Sequence, residues 1–503
     1  MPEVQEPGHE VICGTIGMGK SYWVLYKIIK SFLYDRPCCY IDPKGDTYRN
    51  LLAFFSDTTQ GQEIWDAFRH RIILLNPVSP SDWLVGFNAI EPMGEFLSAR
   101  PDQVALLANS LVSHIRRQSG FEMAEANRMQ NIMSAGIGIL VQGGGGKLTL
   151  AELPLLYRPA AKPVGKFAVR PPHNALVAAL LPNVTHYGTL SFWRDQWPTW
   201  TPTAQREWVQ STEGRIFQYL FDERLLLTVC TTENSRLDFR KLVDGGYWLF
   251  VNIPYQLLSD TISTLLGNLL IAKIFYACMQ RPPGARAYRL ILDEARFFNT
   301  GPLEVLLETS RAYNLWLTMV VQSLEQMCRS IEGRVDARLK ETAINNVRYW
   351  SVFHNSTDGR TLANLMFPLT GRVATGVRVS GDQDWLPVAA EQDQNERSFM
   401  QLGPRQVVWY DKLGGSPQVW RTPEVRMRQP EQGRLDLFEA AHLQVTGKPA
   451  AEIKREIMER QRRLREMLEG TPPAGPGRSA PPQPPDSPPP GRTLPPADFG
   501  RPL

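Results

Sequence analysis

Close to the N-terminus, Gly14-Thr15-Ile16-Gly17-Met18-Gly19-Lys20-Ser21 satisfies GxxxxGK[ST] at every specified position. An apolar run at 10–12 leads into these residues, and a helical pattern over 21–33 leads out. No other feature constrains the chain as tightly, because strand, glycine turn and helix N-terminus must follow in immediate succession. Glycines let the loop wrap closely enough for backbone N–H groups to face phosphate oxygens, and the helix adds the positive end of its dipole. In such a loop Lys20 places a charge at the β- and γ-phosphates, and the Ser21 hydroxyl ligates Mg²⁺. All eight residues are therefore expected to bind ATP and Mg²⁺. A second glycine run, Gly143 to Gly146 before Lys147, continues with Leu148 and has no strand ahead of it. It is expected to be a turn.

The second half of the site is expected at Leu290-Ile291-Leu292-Asp293-Glu294, an apolar strand ending in two acids. Asp293 would hold Mg²⁺ through water, and Glu294 would polarise the attacking water. The second acid favours turnover over a nucleotide switch.

Further apolar strands are expected at 38–41, 72–75, 247–253, 288–292, 315–321 and 348–353, alternating with helical patterns. Such alternation predicts a mainly parallel sheet covered by helices. Between 97 and 221 the reading is helical throughout, with helices at 103–117, 122–141, 173–181 and 204–220. The predicted fold is thus an α/β, RecA-like P-loop ATPase core, 1–96 and 222–430, interrupted by an all-helical insertion domain, 97–221. Two C-terminal helices within 431–470 follow, joined near Gly447-Lys448-Pro449, and the charge alternation of the second predicts a solvated helix or, less commonly, a partner-binding one. Residues 471–503 are built from Pro, Gly, Ser and Arg and predict a disordered tail.

Composition narrows the class. Hydrophobic residues make up 43% and charged residues 21% of the 503, enough to bury real cores. A formal net charge of +4 neither demands nor excludes nucleic acid. Six cysteines, at 13, 38, 39, 230, 278 and 328, form no CxxC pair or metal-like set and read as reduced core thiols. Pro2, Glu3, Glu6 and Glu10 exclude a signal-peptide pattern at the start. The longest apolar segment, 262–279, carries Asn268 and Lys273 and reads as a core helix, not a membrane span. The expected location is cytoplasmic, or peripheral at an inner membrane through partners.

Taken together, the glycine loop, Ile41-Asp42-Pro43-Lys44-Gly45-Asp46 and Asp293-Glu294-Ala295-Arg296-Phe297 resemble the HerA/FtsK superfamily of DNA-pumping ATPases. Within it, the likeness is to the TraG/TraD-like coupling proteins of conjugative and type IV secretion systems, which carry a helical insertion in the motor domain. Leu237-Asp238-Phe239-Arg240 and Gly245-Gly246 are also family-like. The resemblance implies DNA binding, a homo-oligomeric, hexameric ring, and secretion or relaxosome partners. It also implies that Arg311 enters a neighbouring subunit's site and that Gln322, ending the 315–321 strand, senses the γ-phosphate. One departure is the position of the glycine loop: family members usually begin with transmembrane helices, so docking would be delegated to a partner, or the chain would be a soluble relative. The expected function is an ATP-hydrolysing ring motor that translocates DNA or couples DNA or protein substrate to secretion. Two alternatives stay open: a nucleotide-gated interaction protein with little turnover, and a soluble HerA-like translocase that processes DNA ends. Arg116-Arg117 and Arg158, Lys162, Lys166 and Arg170 could contact phosphates or simply form a solvated face, and the insertion could instead read protein cargo.

Overall fold

The computed structural model describes residues 7–91, 123–160, 171–210, 222–232, 237–298, 301–331, 334–371, 373–377, 383–423, 425 and 431–469. The helix expected at 103–117, residues 211–220 of that expected at 204–220, and Arg116, Arg117, Lys162, Lys166 and Arg170 lie outside the described residues. So does the tail, 471–503.

Nine strands form the main sheet: β1 (Glu10–Cys13), β2 (Cys38–Asp42), β3 (Ile72–Leu75), β4 (Trp248–Asn252), β5 (Tyr288–Leu292), β6 (Leu315–Val321), β7 (Tyr349–Val352), β8 (Gln406–Asp411) and β9 (Gln418–Arg421). Their spatial order is β9-β8-β7-β1-β6-β5-β2-β4-β3. All pairings from β7 to β3 are parallel, whereas β8 runs antiparallel to β7 and β9 antiparallel to β8. Register decides where the chemistry sits. Cys13 pairs with Val321 and Val352, and Ile41 with Leu292, so the ends of β1, β2, β5, β6 and β7 share one carboxyl edge.

Strands buried on both faces need apolar side chains pointing both ways. Trp248, Leu249, Phe250 and Val251 meet that need, each fully buried. The helix Lys20–Leu33 lays Trp23, Val24, Leu25, Ile28, Ile29 and Phe32 on the sheet, and Phe32 stacks on Trp248 with ring centroids 4.4 Å apart. The apolar helix Tyr255–Met279 has the length and composition of a membrane span but is packed inside the fold. Its Lys273 ammonium donates to the Glu91 carbonyl at 2.7 Å, and burial pulls its pKa down to about 8.

Between 123 and 229 the described residues hold helices and turns and no strand. Here Trp193 donates from Nε1 to the Ala135 carbonyl at 3.1 Å and sits among Tyr157, Phe192 and Trp197. The run Gly143 to Gly146 is the end of the helix Met123–Gly143 and the turn after it, as read.

Besides the small hairpins Arg329–Ile331 with Arg334–Asp336 and Ala374–Val377 with Gln383–Trp385, and the short strand Trp83–Leu84, two larger features depart from the expected fold. The hairpin β8–β9 was not expected. The helix Ala450–Leu468, expected to be solvated, is docked instead: Ile453 and Ile457 are buried, and Arg460 donates to the buried Glu152 at 3.0 Å. Ahead of it Lys448 and Pro449 pair antiparallel with Leu84 and Trp83. The physical reason is a narrow stripe, Ile453, Ile457, Leu464 and Leu468, which the surrounding charges hide from any averaged reading.

Candidate nucleotide-binding site

The glycine loop leaves β1 at Gly14. A side chain there is impossible, since φ is +150° and a Cβ would lie 2.6 Å from Cβ of Phe353. The Thr15 N–H donates to the His354 carbonyl at 2.8 Å and fixes the start of the loop to the segment after β7. The crest is open: Ile16, Gly17 and Ser21 are exposed. Gly19, with φ +105°, turns the chain into the helix. Lys20 folds back over the loop, its ammonium donating to the carbonyls of Gly14 at 2.6 Å and Thr15 at 2.9 Å. Burial pulls its pKa below the usual lysine range, although the Glu294 carboxylate opposes that.

Asp293 and Glu294 end β5 at the same edge. Asp293 is nearly buried; it accepts from the Tyr40 hydroxyl at 3.0 Å and from the Glu294 N–H at 3.0 Å. Burial, with the neighbouring Asp42 carboxylate, pushes its pKa up to about 7. A buried carboxyl so burdened with negative neighbours is suited to a cation. Glu294 takes a left-handed φ of +44°. Its carboxylate accepts from the Gln322 amide at 3.0 and 3.1 Å, pairs with the Lys44 ammonium and lies 3.4 Å from Arg296. Burial would raise the Glu294 pKa, but the bonds from Lys44 and Gln322 outweigh it and hold the carboxyl below its ordinary value.

The segment after β2 explains Lys44. Asp42 is fully buried and accepts the N–H groups of Lys44, Gly45 and Tyr48 at 2.9, 2.8 and 2.9 Å. The turn so wrapped aims Lys44 across the edge at Glu294. The structure thus gathers Gly14 to Ser21, Asp293, Glu294 and Gln322, and adds Lys44, to which the sequence pattern assigns no role.

Arg311 is elsewhere. It is exposed in the turn Ser310–Tyr313, ahead of β6, at the amino edge of the sheet. The seven residues of β6 put it roughly 20 Å from Gln322. On that edge burial, and then the positive charges of Arg289 and Arg311, pull the pKa of His9, just before β1, down to about 4.

A strand–loop–helix of this kind at the middle of a mostly parallel sheet, with paired acids beside it, defines the fold of a P-loop ATPase. The particular likeness is to the bacterial conjugative coupling protein TrwB. Its unbound monoclinic form superposes with a TM-score of 0.55 at 16% identity, covering 84% of this chain and 87% of that one. The trigonal form with sulphate gives 0.55 at 17%, covering 86% and 89%. TrwB in complex with ADP and Mg²⁺ gives 0.53 at 16%, covering 85% and 88%. At this identity the likeness establishes the fold. No protein-family model matches the sequence, and no curated protein does.

Proposed function

We propose that this chain is an ATPase that couples hydrolysis to the movement of DNA, or of DNA and protein substrate, into a conjugative or type IV secretion machinery. The observation that carries the chemistry is Glu294, an ionised carboxylate held by Lys44 and Gln322 at the same edge as the glycine loop. The bound forms of TrwB, with ADP and Mg²⁺, support ATP and Mg²⁺ as the ligands.

Lys20 would exchange the two loop carbonyls for phosphate oxygens, which need its charge more. Ser21 and Asp293 would hold Mg²⁺, which when bound neutralises developing phosphate charge. Glu294 orients a water and takes up its proton; the bonds that hold its pKa below the usual value keep it ionised at neutral pH, at the cost of base strength. Gln322, bonded to both Glu294 oxygens, is placed to report the state of the site to β6. We propose further that the segment between 97 and 221 reads cargo or DNA, and that Arg311 serves a neighbouring copy's site within a ring.

One observation favours the alternative of a nucleotide-gated interaction protein: Glu294 is tied by Lys44, which would restrain turnover until something moves Lys44 away. Steady-state ATPase assays with and without DNA separate the readings, a motor being stimulated and a gate not. Glu294→Gln should bind ATP as the parent does and lose turnover by about 10²-fold or more, the usual contribution of a general base. Parent-like hydrolysis by this variant would remove Glu294 from the mechanism.

A further inference from the structure

The glycine loop sits at the end of β1, and the sheet order gives it two different flanks. Glu294 and Gln322 come from β5 and β6 on one side. From the other side, beyond β7, comes the turn that opens β8. That turn closes through the Gln406 N–H on the Gly403 carbonyl at 3.1 Å, with Pro404 and Arg405 at its centre. Arg405 has φ +65°. The second central position of such a turn is where glycine sits without strain and a long side chain does not.

The strained residue is also clamped. Its N–H donates to the carbonyl of Met18, inside the glycine loop, at 3.0 Å, and its carbonyl accepts from Thr422 at 2.8 Å. A Cβ on Gly19 would lie 3.4 Å from the Arg405 Cα and 3.5 Å from its Cγ, so the two backbones are in near contact. The guanidinium lies over the ring of Tyr22, 5.3 Å from its centroid, and Tyr22 directly follows Ser21. A backbone outlier pressed against a ligand loop and carrying a planar cation on an aromatic face is poorly explained by folding alone, since glycine would satisfy the turn better.

We propose that Arg405 is a nucleotide-binding residue of its own subunit, engaging the α-phosphate and nucleoside end of the nucleotide with Tyr22 as its platform. The assignment rests on the phosphate-loop reading above and gives the site a polarity. The β5–β6 flank, with Glu294 and Gln322, takes the phosphate that is cleaved. The Tyr22–Arg405 flank takes the part common to ADP and ATP, where a guanidinium can pair with phosphate oxygen and stack on a base.

Arg405→Gly is the decisive variant, because it deletes the guanidinium while relaxing the turn. It should melt no lower than the parent. Calorimetric titration with Mg²⁺–ADP and with a non-hydrolysable Mg²⁺–ATP analogue should give affinities weakened by roughly tenfold or more for both, the loss expected of a charged hydrogen bond. The kcat at saturating ATP should change little. Arg405→Asn, whose side chain also tolerates left-handed backbone, repeats the measurement independently, and Arg405→Lys should recover only part of the loss. Unchanged ADP affinity in Arg405→Gly overturns the proposal, as does a fall in kcat with ADP binding intact, which would put Arg405 at the γ-phosphate. A parent protein that binds neither nucleotide would overturn the phosphate-loop reading itself, and Lys20→Ala, which must lose binding if that reading holds, tells the two failures apart.

Discussion

Glu294 depends on a residue 250 positions away in sequence, and that dependence can be tested by titration. Its carboxylate is buried, which alone would make it a weaker acid, and the Lys44 ammonium and Gln322 amide reverse the effect. Lys44→Met removes the ammonium and leaves the burial, so the Glu294 pKa must rise. A general base works only when ionised, so the acid limb of the pH profile of kcat should move to higher pH, with the plateau retained or raised. Measuring kcat from pH 5 to 9 in parent and variant checks this, and an unmoved acid limb would mean that Lys44 does not set the charge on Glu294. Nothing in the spacing of Lys44 and Glu294 could have paired them. Their meeting follows from the register of β2 on β5, which the sequence does not reveal. The glycine loop, by contrast, was legible as a strand–turn–helix because the signal is local: eight consecutive residues carry the glycines of the turn and the start of the helix.

At the scale of elements, the core strands were legible to within a residue, because each is a short apolar run bounded by turns or charges. Tyr288–Leu292 and Leu315–Val321 have the expected bounds, and Trp248–Asn252 lies one residue inside them at each end. The hairpin β8–β9 was not legible. β8 does carry an apolar run, Val407 to Tyr410, but β9 offers only Val419 and Trp420 between Gln418 and Arg421, too short a run to announce the edge strand that completes the hairpin. The helix Ala450–Leu468 was misread for a related reason, its four-residue apolar stripe being outnumbered by charges. That helix now supports a prediction. Arg460 reaches Glu152, which is fully buried, and also donates to Thr232 and Thr149 at 2.9 and 3.2 Å. Removing one partner leaves the other charge buried without its counter-ion, so Arg460→Ala should cost on the order of 3 kcal/mol. Denaturant melts would read the loss, and a double variant, Arg460→Ala with Glu152→Gln, should recover part of it. A single variant as stable as the parent would show the helix docked by its apolar stripe alone.

For the whole molecule, the position of Arg311 turns an oligomerisation question into an assay. The glycine loop lies at the carboxyl edge of the sheet and Arg311 at the amino edge, with the length of β6 between them. No side chain spans that distance, so Arg311 cannot stabilise charge on a nucleotide held by its own loop. It can do so for a neighbour only if the amino edge of one copy meets the carboxyl edge of the next. That is a head-to-tail contact, which closes into a ring when the rotation allows. An arginine supplied across such a contact contributes about 10³–10⁵ in rate with little effect on nucleotide binding. Arg311→Ala should therefore bind ATP normally and turn it over poorly, while Lys20→Ala should bind poorly. Mixed together, the two variants should regain activity, because a site with an intact Lys20 from one subunit can receive an intact Arg311 from the other. The regained rate should rise and fall with mixing ratio, peaking near equal amounts. Absence of rescue, in a mixture proven by light scattering to co-assemble, would remove the shared site and return Arg311 to a surface role.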